Sequence, residues 1–130
     1  MTNKLCPCDS ALNYAVCCGR YHKGNLKAPT AEALMRSRYT AYAMGNAQYL
    51  FKTWHQDTRP SLTSLKESEP QQLIALKIVS TKAGDEGDLK GMVEFIASSK
   101  CNNPEEPIYQ HHEKSLFIKI KEQWLYIDRI

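Results

Sequence analysis

From Ala31 to Met44 the apolar residues recur with the period of a helix. Met35, Tyr39, Tyr42 and Ala43 fall at i, i+4, i+7 and i+8, and Leu34 and Ala41 widen the stripe. Thr30 is placed to cap this helix, Glu32 in its first turn suits the helix dipole, and Gly45 is a natural stop. Asn46 predicts the start of a second, shorter helix reaching roughly Lys52, with Tyr49 and Leu50 apolar and Trp54-His55 closing it. Ser61 to Lys66 reads as one more helical turn.

After Pro70 the pattern changes to that of strands. Leu73 to Thr81 is rich in Ile, Leu and Val, and Gly84 to Gly87 makes a turn. Leu89 to Ser98 alternates, with Leu89, Gly91, Val93, Phe95 and Ala97 on one face. Asn102 to Pro107 is a polar loop, and Ile108 to Lys121 a long strand. In that strand Leu116, Ile118 and Ile120 face one way, Lys119 and Lys121 the other. Trp124 to Ile130 is the last strand. Helices followed by four meandering antiparallel strands predict an α+β fold, with the helices on one face of a curved sheet.

Residues 1–22 carry little of either pattern, and there the cysteines crowd: Cys6, Cys8, Cys17 and Cys18. A C-x-C pair, eight spacer residues and a C-C pair suit one tetrahedral ion held by soft thiolates, zinc above all, although iron accepts the same ligands. Vicinal Cys17 and Cys18 are a poor start for a disulfide framework. Zinc binding contributes on the order of 10–16 kcal/mol in small peptides, enough to order so short a segment. Four sulfurs saturate the ion, so the site reads as structural, not catalytic. His22 is an alternative ligand, though four cysteines leave it no vacant position. Residues 23–29 read as a linker, and Cys101 as a bystander in a loop.

Composition is that of a soluble globular chain: 130 residues, 42% hydrophobic, 24% charged. Four thiolates around one Zn²⁺ would lower the formal +3 by two, which gives little reason to expect direct nucleic-acid binding. The start of the chain has no apolar signal region, and no apolar run approaches the ~20 residues that span a bilayer. A cytoplasmic, reducing compartment with no membrane contact is therefore expected.

The segment Cys6-Pro7-Cys8-Asp9-Ser10-Ala11, with Tyr14 and Cys17-Cys18-Gly19, resembles the SEC-C motif, a small zinc-binding element known from the tail of the SecA translocase motor. The run Leu34-Met35-Arg36-Ser37-Arg38-Tyr39-Thr40-Ala41-Tyr42, with Tyr49-Leu50, Thr53-Trp54-His55 and the ending Trp124-Leu125-Tyr126-Ile127-Asp128, is similar to the bacterial YchJ family over essentially the whole chain. The resemblance implies a SEC-C element over 1–22 and, over 30–130, a conical α+β domain like nuclear transport factor 2. It transfers architecture and not an activity. Two departures stand out. The usual Gly-Ser-Gly after C-x-C is Asp9-Ser10-Ala11, where glycine would suit a left-handed turn, and a common pair of lysines is Ala15-Val16.

Candidate sites in the cone are Arg36, Arg38, Tyr39, Tyr42, Trp54, His111, Glu113 and Trp124. One arginine is expected to pair with a carboxylate across the sheet, Glu113 or Asp128. The aromatic residues, Tyr49 among them, line either the core or a pocket in the cone's mouth. His111 and Glu113 share a face with Ser115 and Phe117, read chiefly as a polar strand surface and otherwise as an acid–base pair. The function that follows is recognition: a knuckle that contacts a protein partner, and a cone that binds a small ligand, a partner or a second copy of the chain. The alternative is a pocket enzyme of isomerase, dehydratase or hydrolase type. No nucleophile stands beside its base in the sequence, and no catalytic residue is assigned.

Overall fold

The computed structural model describes residues 4–24, 26–67, 72–100, 105 and 108–130. Cys101, Pro70 and all of the expected Asn102–Pro107 loop except Glu105 lie outside them.

A 3₁₀ turn at Tyr14–Val16 leads into helix α1, Cys18–His22. Helix α2 covers Ala31–Met44, α3 Ala47–Lys52 and α4 Leu62–Glu67. The α2 ends are those its sequence specifies. The Thr30 side chain accepts a hydrogen bond from the Ala33 N–H, and Gly45 closes the helix in the left-handed conformation at φ 72°. Asn46 likewise accepts from Tyr49 at the start of α3.

Strands β1 (Leu73–Ala83), β2 (Lys90–Ser99), β3 (Tyr109–Ile120) and β4 (Gln123–Arg129) form one antiparallel meander in that order. Register shifts in β1 and between Leu116 and Phe117 mark bulges, which curve the sheet around the helices. Cross-strand pairs Leu76–Ala97 and Ile78–Phe95 share the concave face with Val93, Phe117 and Trp124. Helix α2 lies across that face. Its first residue docks on the β1–β2 turn, where the Ala31 N–H donates to the Gly84 carbonyl at 3.0 Å. A Cβ added to Gly91 would come within 2.5 Å of the Gly84 Cα and 3.0 Å of the Ala31 Cβ, so glycine alone permits this approach.

The structure overturns two expectations. Leu89 precedes β2 and is exposed, whereas Gly91, Val93, Phe95 and Ala97 are buried as their alternation requires. The face of β3 carrying His111, Glu113, Ser115 and Phe117 is the concave one and not a polar outer surface. Leu116, Ile118 and Ile120 face outward, because Phe117 is paired with inward Gly91 and a one-residue slip would turn every side chain over. Within the expected linker Ala28 is buried, and the Trp124 Nε1–H donates to the Pro29 carbonyl.

Candidate metal centre and cone cavity

Residues 4–14 form a tight loop closed by hydrogen bonds from the Cys6 N–H to the Leu12 carbonyl and from the Tyr14 N–H to the Lys4 carbonyl. Asp9 and Ala11 both adopt φ 66°, the left-handed turn for which glycine is usual. The chain bends back through the 3₁₀ turn so that Cys17 and Cys18 meet Cys6 and Cys8. All four are buried and their sulfurs lie within 4.8 Å of one another, Cys8 and Cys17 at 3.6 Å. Tetrahedral coordination with metal–sulfur bonds of about 2.3 Å places sulfurs about 3.8 Å apart, so the donor set fits a single metal ion. Hydrogen bonding to Cys18 and Cys8 draws the Cys6 thiol down, and the same contact pushes Cys18 up. A bound cation would take the place of those shared protons.

Surrounding groups suit thiolates. The Ser10 hydroxyl lies 3.1 Å from the Cys17 Sγ, and the Thr40 hydroxyl 3.4 Å from Cys18 and 3.5 Å from Cys6. Arg36 donates from Nη1 to the Cys8 carbonyl and from Nε to Glu32. His22 is no ligand. Its Nδ1 meets the Tyr14 hydroxyl at 2.7 Å and its Nε2 the Ser37 carbonyl at 2.8 Å, and burial holds its pKa below the ordinary value. The Asp9 Oδ2 accepts from the Leu76 N–H of β1 at 3.1 Å. Bonds therefore run from the knuckle to α2 and to the sheet, across the boundary expected between residues 1–22 and 30–130.

The opposite side of α2 roofs a cavity of about 200 Å³ on the concave face of the sheet. Arg38, Tyr39 and Tyr42 line it from α2, and His111, Glu113, Ser115 and Tyr126 from β3 and β4. Glu113 accepts from the His111 Nε2 at 2.9 Å, from the Tyr126 hydroxyl at 3.2 Å and from the Ser115 hydroxyl. Arg38 is 5% exposed, with Nη1 donating to the Leu50 carbonyl and the Thr53 hydroxyl. Its guanidinium carbon sits 4.8 Å from the Trp54 ring centre and 4.7 Å from that of Tyr126. Burial pushes the Tyr39 phenol up to about 12, and it raises Tyr126 as well.

Of the eight expected cone residues, Arg38, Tyr39, Tyr42, His111 and Glu113 meet in this cavity, and three do not line it. Arg36 braces the knuckle. Trp54 backs Arg38, and its Nε1–H is buried with no hydrogen-bond partner among the described residues. Trp124 and Tyr49 border a separate groove beside Lys27 and Lys52. The expected ion pair of an arginine with Glu113 or Asp128 is replaced by Arg36–Glu32 on one turn of helix and by indirect contact, through Tyr126, between Arg38 and Glu113. Sequence reasoning gave no role to Tyr126, Thr40 or Ser10. The alternation Trp124, Tyr126 on β4 was the available signal for the first; the others emerge from chain crossings that no local pattern encodes.

The chain matches two family models: "YchJ, middle NTF2-like domain" over residues 30–129 and "SEC-C motif" over residues 3–20. It is 41% identical to a UPF0225 protein of Streptomyces coelicolor, covering 98% of this chain and 96% of that one. A UPF0225 protein of Deinococcus radiodurans is 42% identical, with 96% and 88% covered. Among solved structures, a SEC-C motif containing protein from Rhodopseudomonas palustris superposes with a TM-score of 0.83 at 28% identity, over 99% of this chain and 98% of that one. One from Psychrobacter arcticus gives 0.80 at 27% identity, over 96% and 81%. With a matching domain model over most of its length, behind a SEC-C motif, and relatives alike from end to end, the chain belongs to the UPF0225, or YchJ, family.

Proposed function

We propose that this protein is a zinc-braced binding protein whose cone holds a small molecule. The observation that carries the reading is the cavity itself. Apolar walls enclose a buried guanidinium and a largely buried carboxylate, a combination that favours an oriented guest over mere packing. Four thiolates with no open position make Zn²⁺ a structural element, held by Cys6, Cys8, Cys17 and Cys18. The knuckle exposes Leu5, Leu12 and Val16, a small apolar face suited to a protein partner.

Screening small polar aromatic and aliphatic compounds by ligand-detected NMR tests the cone, with Ala97→Leu as the filled-cavity control. Binders lost in that variant support the reading, whereas binders that bind both forms equally refute it. For the knuckle, metal-loaded protein is compared with Leu12→Ser/Val16→Ser as bait. Identical partners from both would remove this face from consideration.

A second reading has one observation in its favour. His111 Nε2 lies 2.9 Å from Glu113, so the carboxylate orients the imidazole, and among the described residues Nδ1 has no hydrogen-bond partner, which suits it to general-base work. Turnover of a ligand, abolished by His111→Gln with binding intact, would establish it.

A further inference from the structure

Arg38 carries its charge away from water without a counter-ion among the described residues. Its described partners are the Leu50 carbonyl, the Thr53 and Tyr42 hydroxyls and two ring faces, and no carboxylate among the described residues forms an ion pair with it. Burial pulls its pKa down accordingly. An uncompensated buried cation is costly, and a bound anion would remove much of that cost. The guanidinium is a planar fork of five N–H groups. Nη1 is committed to Leu50 and Thr53, and Nε and Nη2 remain for other acceptors, the Tyr42 hydroxyl being one neighbour.

The cavity has a second pole. Glu113 Oε2 already accepts from Ser115 and Tyr126, whereas among the described residues Oε1 accepts from His111 alone. One more donor can be accommodated there. Tyr126 fixes the spacing of the poles, with its ring against Arg38 and its hydroxyl on Glu113. Between them the walls are Met35, Leu73, Phe95 and Phe117. A simple anion would be repelled by Glu113 and a simple cation by Arg38. A volume of about 200 Å³ is somewhat above the ~150 Å³ of an apolar cavity that admits benzene, so the body is about one ring in size.

We infer, building on the cone as a ligand holder, that the cavity takes a small organic carboxylate with an apolar body and a hydrogen-bond donor at its far end. Its carboxylate sits on Arg38 and its donor on Glu113. The neutral amide of such an acid keeps the shape and loses the charge; the acid without its hydroxyl keeps the charge and loses the donor.

The test titrates intact, metal-loaded protein with 4-hydroxyphenylacetate, 4-hydroxyphenylacetamide, phenylacetate and tyramine, following amide chemical shifts. The hydroxy acid is expected to bind about tenfold tighter than its amide, and phenylacetate several-fold weaker than the hydroxy acid. Arg38→Gln, which removes the cation, should erase the preference for acid over amide, and Arg38→Lys should retain part of it. Glu113→Gln, which leaves Arg38 untouched and exchanges the carboxylate for a weaker amide acceptor, should reduce the preference for the hydroxy acid over phenylacetate. Equal binding of acid and amide, or tightest binding of tyramine, overturns the ligand class but leaves the cone as a binding site. If no probe shifts the resonances of cavity residues, the inference and the reading it rests on both fall.

Discussion

Arg36 donates from Nη1 to the carbonyl oxygen of Cys8 at 2.6 Å, so a helix of the cone grips the metal loop across 28 residues of sequence. The same guanidinium holds Glu32 one turn earlier, which fixes its rotamer for the longer reach. Arg36→Ala is expected to lower stability by about 1–2 kcal/mol, the range for a charge-assisted hydrogen bond that is partly screened by solvent. Arg36→Lys should recover part of it. Denaturant unfolding of the metal-loaded protein measures the first effect, and faster metal transfer to a chromogenic chelator gives an independent readout.

Ala11 and Asp9 share one unfavourable backbone conformation but differ in what they gain from it. The Asp9 carboxylate holds the Leu76 N–H, whereas the Ala11 methyl has no such bond. Ala11→Gly should therefore stabilise the protein by ~0.5–1 kcal/mol, and Asp9→Gly should be neutral or destabilising. Paired melting curves decide this; equal gains from both would mean that the Asp9 bond contributes nothing.

His22 lends the fold a pH dependence. Burial lowers its pKa in the folded state, so between that value and ~6.5 the unfolded chain binds the extra proton. Its contribution is complete above ~6.5 and declines as pH falls through that point. The neutral ring, with Nε2–H on the Ser37 carbonyl and Nδ1 accepting from Tyr14, is the form the fold selects. His22→Gln should show a flatter stability profile between pH 7.5 and 5.5. Parallel profiles would assign the dependence to other groups.

Chelation should disorder the knuckle and leave the sheet. Loss of the metal frees the cysteines from a core they share with Leu34, Met35 and Tyr39, so the melting temperature of the cone is expected to drop. Far-ultraviolet circular dichroism should keep its strand signal at 25 °C, because the meander's own pairings are untouched. Collapse of that signal would show that the cone has no stability of its own.

The helices were legible because their signals are local. Thr30, Gly45 and Asn46 each act within a few residues, and α2 begins and ends, and α3 begins, where those residues say. The left-handed turn at Asp9 and Ala11 was legible from the residues it displaces. The inward face of β3 was not. Its outward side carries Leu116, Ile118 and Ile120, and a hydropathy argument would bury that side. Register is decided by the neighbours, Gly91 and Val93 opposite Phe117 and Ser115, and those sit more than twenty residues away. The site has the same division. Four cysteines declared themselves by spacing, whereas the passage from Arg38 through Tyr126 to Glu113 exists only once three chain segments converge.

Eight of the fourteen residues of α2 are buried, on both of its long sides. Thr40 turns toward the cysteine loop and the Ser37 carbonyl meets His22, while Arg38 and Tyr42 turn toward the cavity. A party wall of this kind keeps only a narrow outdoor strip, at Glu32, Arg36 and Met44, on which an ill-fitting residue can be hidden. Whatever reshapes one room is therefore expected to be felt in the other.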